Sequence, residues 1–372
     1  MPTSATQQDR VFAEVKRLCN AGLSETALLR EVPERVRQAV PAEACCFSAT
    51  DPSSGLMTRA FVEGMGDEKG AHIFFKRVYL EEDVNGFHVM SNSWVDRPVA
   101  LLSEITGGKL ERSLRYREHT GPLGLHHELR GACSVGKERW GGLDLTRERG
   151  RPDFDEREVM LLRRLTPHLG AALRAALLSE VSLEAQEDGV PGVLVLDHWR
   201  WSVSHYNATA ERLLGELEAL RPGWQEGDLP VALTAVAGAV RRALKPESER
   251  DQASVPRLCV RARSGRWLTL QGTLTEARPG RPSEIMVIIE PAGPKEITWI
   301  KATAYGLSDR EKEVVELVVR GASTKQMAAT LYISEYTVQD HLSNIFDKVG
   351  VRGRKALVKR LFYDNLYPSL KP

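Results

Sequence analysis

At 372 residues the chain is too long for one ordinary domain, and two or three are expected. A composition of 42% hydrophobic and 27% charged residues with a net charge of +1 is that of a globular protein, and the total gives no hint of a polyanionic partner. The distribution of charge says more: residues 300–372 carry 12 Lys+Arg against 8 Asp+Glu, whereas the remainder carries 39 against 42.

In chain order, helical patterns over 10–20 and 24–40 lead into an apolar strand, "ACCFSAT", a turn, "DPSSG", and a second strand, "LMTRAFV". Residues 67–120 read as mostly helical and irregular. Two further strand-like runs follow, "ELRGACSVG" and "RWGGLDLTRE", and then a long amphipathic stretch over 155–185. Helix, antiparallel strands, crossover and exit helix make an α+β layout. The exit stretch places Val159, Leu162, Leu165, Leu169, Leu173 and Leu177 at helical spacing, which predicts a dimer element that Pro167 kinks without ending. The next part, 189–291, opens with "GVLVLDHWRWSVSHYNATAERLLG", a strand pair with Asn207 at the entry to a helix. It closes with alternating segments suited to an antiparallel meander. "PAGPKEITWIKATAYG" is punctuated by Pro and Gly, which predicts a linker over 292–302.

The last part, 303–368, predicts three short helices. Ser308 with Glu311 and Ser323 with Gln326 make capping boxes, Gly321 stops the first helix, and Ser334 caps the third. In that third helix Val338, Leu342, Ile345 and Val349 form an inward stripe, and Tyr336, Gln339, Asp340, Ser343, Asn344 and Asp347 point the other way. Three helices with a tight turn before the last make a helix-turn-helix, whose final helix enters the major groove of double-stranded DNA.

Three resemblances add to this reading. "WGGLDLTRERGRPDFDEREVMLLRRLTPHLGAAL" resembles a GAF domain, which implies an α+β sensor over 8–185. The 189–291 segment resembles a PAS domain, again α+β. Members of that family often bind flavin or haem, but no residue here carries either over, and the cofactor stays unknown. "LSDREKEVVELVVRGASTKQMAATLYISEYTVQDHLSNIFDKVGVRGR" closely resembles the LuxR-type DNA-binding domain, which implies an all-α reader and hence a multidomain transcriptional regulator. That resemblance makes Gln339, Asp340 and Ser343 readers of base edges. It makes Lys325, Ser334, Thr337, Lys348, Arg352 and Arg354 contacts to phosphate. Gln339 stands where many members have Lys; Gln suits adenine and Asp340 suits cytosine N4. His341 is read as packing.

One helix-turn-helix reads a half-site, so a homodimer on an inverted repeat is expected, controlled by a small-molecule effector. Phe47, Phe61, Phe74, Trp94 and Cys133 are candidate effector linings. No GxxxxGKS or GxxxxGKT run provides a P-loop. An enzyme would use His72, His88, His119, His126 or His127, but "HHELRG" lacks the HExxH spacing, and no enzyme is predicted. An alternative makes the C-terminal helices a docking module for RNA polymerase or another protein. Cys19, Cys45, Cys46, Cys133 and Cys259 lack metal-site spacing and read as reduced core thiols, with a redox pair at Cys45/Cys46 as the other reading. No apolar run is long enough to span a bilayer, and "MPTSATQQDR" lacks a signal-peptide core, so no membrane association and a cytoplasmic location are expected.

Overall fold

The computed structural model describes residues 5–65, 98–179, 190–197, 203–217, 229–243, 256–276 and 283–363. They fall into two compact units, one holding both β-sheets and the other the C-terminal helices.

The first unit begins with helices α1 (Ala5–Cys19) and α2 (Glu25–Val36), the second capped by Ser24, whose hydroxyl accepts from Ala27 N. Strands β1 (Ala44–Thr50) and β2 (Met57–Glu63) follow, then β3 (Val99–Leu101), the short helix α3 (Leu102–Thr106), β4 (Leu125–Val135), β5 (Glu138–Glu148) and helix α4 (Glu156–Ser179). The sheet order is β2-β1-β5-β4-β3, antiparallel throughout. The predicted α+β layout is present, with "HHELRG" on β4.

The two faces of this sheet differ, because successive residues of a strand point opposite ways. Phe47 pairs with Leu143 and with Phe61, and Cys133 pairs with Gly141, which puts all five positions on one face with Gly131 and Leu129. Helix α4 lies directly on that face. A Cβ on Gly141 would stand 2.6 Å from Leu173 Cδ1, one on Gly131 would stand 2.9 Å from Thr166 Cγ2, and one on Gly170 would stand 2.9 Å from the Cys133 backbone. The leucine stripe of α4 is therefore core: Leu162 and Leu165 are 0% exposed, and Leu169 and Leu173 are buried with them. Those four positions are thereby withdrawn from the expected dimer element, whereas Val159 and Leu177 are half-buried. The helix runs unbroken through Pro167.

The opposite face carries charge. Arg115, from the segment before a π-helical turn (Tyr116–Thr120), holds Glu128 at 2.5 Å, and Arg130 Nε lies 2.8 Å from Glu128 and 2.9 Å from Asp144. All four side chains are almost wholly buried. Burial raises the Asp144 carboxyl above its ordinary range, while Arg115 and the Thr146 hydroxyl pull the other way.

Cys45 and Cys46 are successive residues of β1, pointing to opposite faces, and both are buried and free. Burial pushes the Cys45 thiol up to about 12 and raises Cys46 as well, so neither is a thiolate at neutral pH. The redox-pair reading loses both its geometry and its chemistry.

The second sheet uses β6 (Gly192–Leu196), β7 (Val203–Tyr206), β8 (Arg257–Arg261), β9 (Trp267–Leu274) and β10 (Ile285–Pro291) in the order β7-β6-β10-β9-β8. Asn207 opens helix α5 (Ala208–Glu216): its Oδ1 accepts from Ala210 N at 2.8 Å and from Val193 N at 3.1 Å. Helix α6 (Val231–Arg242) is buried at every position from Val231 to Val240, which suits "VALTAVAGAV", apolar but for Thr234, whose hydroxyl donates to Pro230 O at 3.2 Å. An all-round apolar helix needs cover on every side. On one side Val236 and Val240 press on Gly272 of β9. On the other, α6 reaches β2, and Ala44, Cys46, Ala60 and Val62 of the first sheet join Leu268 and Leu270 of the second in one apolar cluster. Asp51 Oδ2 accepts from Cys259 N at 2.8 Å, and Arg59 Nη2 donates to Arg261 O at 2.8 Å, linking the sheets at their edge. The two sheets thus share one core.

The linker expected over 292–302 is corrected: Pro294–Ala304 is a helix, α7, with Gly293 as N-cap and Pro294 at N1. Pro is at home there, because the first helical N–H has no partner to lose. Ala302 belongs to the core of the C-terminal helices. Among the described residues, no helix is long and apolar enough to cross a membrane.

Candidate nucleic-acid interface

The second unit continues with α8 (Asp309–Val319), α9 (Thr324–Leu331), α10 (Glu335–Val349) and α11 (Arg354–Val358). Both predicted capping boxes form. Ser308 N donates to Glu311 Oε2 at 2.7 Å, and Ser323 N donates to Gln326 Oε1 at 2.8 Å; each serine hydroxyl accepts in return. Ser334 caps α10 by accepting from Thr337 N at 3.0 Å. Gly321 and Gly350, at φ 78° and 72°, end α8 and α10 in left-handed backbone. Val338, Leu342, Ile345 and Val349 fill the core, as the apolar stripe predicts, together with Val314, Val315, Val318 and Met327.

The outer face of α10 is laid out as the spacing implies. Tyr336, Gln339, Asp340, Ser343, Asn344 and Asp347 are all exposed, and His341 is half-buried. Among the described residues, the side chains of Gln339, Asp340, Ser343 and Asn344 have no hydrogen-bonding or ionic partner, so their donors and acceptors meet only solvent. Lys325 at the start of α9 and Arg352 after α10 are exposed cations with no ion pair among those residues. Lys355 and Lys359, which the sequence reading passed over, share that condition.

Two of the expected phosphate contacts have other occupations. Lys348 Nζ lies 2.7 and 2.9 Å from the two carboxylate oxygens of Glu311, whose side chain is only 5% exposed. Burial alone would raise the Glu311 carboxyl, but the hydrogen bonds from Lys348 and Ser308 outweigh it and hold it below the usual range. Arg354 is likewise turned inward, donating to Ala322 O at 3.1 Å and Thr324 Oγ1 at 2.7 Å. Both cations pin α10 and α11 to the first two helices.

Sequence reasoning also missed Tyr332. It is the left-handed end residue of α9, at φ 55°, and is 94% exposed. The signal for such a position is normally Gly or Asn, and here there is neither. Of the effector linings, Phe47 and Cys133 are 0% exposed and Phe61 is half-buried, and all three lie on the sheet face that α4 covers. Phe74 and Trp94 lie outside the described residues, as do His72 and His88.

The model of the bacterial regulatory proteins, luxR family, matches residues 306–361. The spore germination protein GerE of Bacillus subtilis (strain 168) is 49% identical over 55 residues, which are 15% of this chain and 74% of GerE. The response regulator protein TmoT of Ectopseudomonas mendocina is 32% identical over 146 residues, 39% of this chain and 54% of TmoT. Among solved structures, the GAF domain of a phosphoenolpyruvate-protein phosphotransferase from Coxiella burnetii covers 47% of this chain and 96% of its own, at 19% identity and a TM-score of 0.35. A score that low has no bearing on function.

Proposed function

The chain belongs to the luxR family of bacterial regulatory proteins, and from that premise we propose a homodimeric, sequence-specific transcriptional regulator controlled by a small-molecule effector. The observation that carries the reading is the outer face of α10, where Gln339, Asp340, Ser343 and Asn344 are exposed and spend no hydrogen bond within the described chain. Such a face discriminates base edges but attracts no polyanion, so affinity comes from the flanking cations. Lys325 and Arg352 fill that role, with Lys355 and Lys359 added and Lys348 and Arg354 assigned to holding the fold. A single reading helix covers a half-site, which makes the target an inverted repeat bound by two copies.

The effector is assigned to the first unit. On the opposite face α6 covers Ala60 and Val62 of β2, and the buried Arg115, Glu128, Arg130 and Asp144 beside β4 and β5 are the candidate for polar recognition. Buried, mutually paired charges cost desolvation and suit a recognition role better than a stabilising one. The test is selection of bound duplexes from a random library by the full chain, with sedimentation of free and bound protein. Enrichment of an inverted repeat by a dimer supports the proposal; a monomer, or no enrichment at any salt concentration, refutes it.

A further inference from the structure

We propose that Tyr332 is a DNA contact of this domain, its hydroxyl donating to a backbone phosphate beside the groove that α10 enters. The inference rests on the DNA-binding reading and adds a residue that neither the periodicity of α10 nor the distribution of cations indicates.

Three observations carry it. The first is backbone conformation. Tyr332 is the only non-glycine residue with positive φ among the described residues, and a β-carbon disfavours that region. The domain ends α8 and α10 at Gly321 and Gly350, so the same local task is done elsewhere without a side chain.

The second is that, among the described residues, nothing packs on the ring to repay the strain. The ring is 94% exposed, the most exposed large apolar side chain of the described residues, and Tyr336, four positions on, follows at 76%. A side chain kept at an unfavourable backbone position, with no packing return, is what a ligand contact requires.

The third is rigidity. Ile333 N donates to Ala328 O at 3.1 Å, Arg310 Nη2 donates to Leu331 O, and Ser334 caps α10 immediately beyond. The backbone on both sides of Tyr332 is fixed, so the side chain leaves the turn in one direction and only its own rotamers are ordered on binding. In a helix-turn-helix the helix before the turn crosses the phosphate backbone, and the reading helix enters the groove by its N-terminal end. The turn joining them therefore lies over phosphates, and tyrosine is among the side chains that bond to phosphate oxygens.

Because the donor is neutral it releases no counterion, which separates it from a lysine contact in a salt titration. The experiment measures binding of the full chain to a labelled random-sequence duplex of about 30 base pairs, or three helical turns, across a series of salt concentrations. Tyr332→Phe keeps the ring and the backbone and removes only the hydroxyl; Tyr332→Gly relaxes the backbone; Lys325→Ala is the ionic comparison. Expected are an affinity loss of about tenfold for Tyr332→Phe with the salt slope of the parent, and the same or a larger loss for Tyr332→Gly with an unfolding midpoint equal to or above the parent's. Parent-like affinity of Tyr332→Phe overturns the inference while the DNA-binding reading stands. A parent protein with no salt-dependent binding to any duplex overturns both.

Discussion

Lys348 separates the role implied by its position in the sequence from the role its surroundings give it. In Lys348→Ala, Glu311 keeps its bond from Ser308 N, but Oε1 loses the partner at 2.9 Å and Oε2 loses the one at 2.7 Å. Hydrogen bonds to a charged group are worth about 1.5–3 kcal/mol. Lys348 is 40% exposed, so water replaces part of the loss, and the lower end applies, about 1.5 kcal/mol. That is about a tenfold shift in the opening equilibrium of the domain. Hydrogen exchange of the full chain reads it directly: the slowest amides of α8 and α10 should exchange about tenfold faster at pH 7. The pH dependence has a definite sign. The folded carboxyl lies below its unfolded value, so its contribution is present above that unfolded value and is lost as pH falls through the folded one. The gap between parent and variant should therefore begin to narrow as pH falls below the ordinary carboxyl value, about 4.3, and close once pH lies below the folded one. The salt slope of DNA binding should stay at the parent's value. A slope lowered by about one unit, with unchanged exchange, would refute the structural assignment and restore Lys348 to the phosphate contacts.

Lys325→Ala should weaken binding to selected and random duplexes alike and lower the salt slope by about one unit in a titration. Asp340→Ala should leave random-duplex affinity unchanged or raised while the preference falls at one position per half-site, read from a panel of single-base variants. Gly141→Ala would place a methyl 2.2 Å from Ser48 O and 2.6 Å from Leu173 Cδ1, and should cost at least about 1–3 kcal/mol of first-unit stability in denaturant titration. In the native protein, Cys45, Cys46, Cys133 and Cys259 should resist a thiol reagent on the minutes scale, with Cys19 the only half-exposed thiol to react. A C-terminal fragment beginning at Gly293 should be helical by circular dichroism and more stable than one beginning at Gly306, which loses α7 and its Ala302.

What was legible in the sequence was short-range. Ser308 with Glu311, Ser323 with Gln326, and Ser334 with Thr337 each close within three residues, and the stripe from Val338 to Val349 needs only the helical period. What was missed depends on partners distant in the chain. Phe47, Phe61 and Cys133 can be placed on one face by alternation, but only the close approach of Gly131, Gly141 and Gly170 to α4 shows which face the helix fills. The leucines of α4 announce burial without naming the surface they meet. Lys348 finds Glu311 across 37 positions. Gly293 and Pro294 punctuate a linker and start a helix equally well. Tyr332 adopts a conformation that its side chain disfavours, which no residue-type preference could indicate.

Helix α6 also has a consequence in time. During synthesis β1 and β2 leave the ribosome long before α6, at about 5–20 residues per second, a delay on the order of ten seconds. Through that interval Ala60 and Val62 of β2 have no apolar cover from the segment that finally buries them. The apolar cover of the first sheet is complete only after α6 has been made. Slowing translation between β2 and α6 should lower the soluble yield, and co-expressing a holdase should restore it.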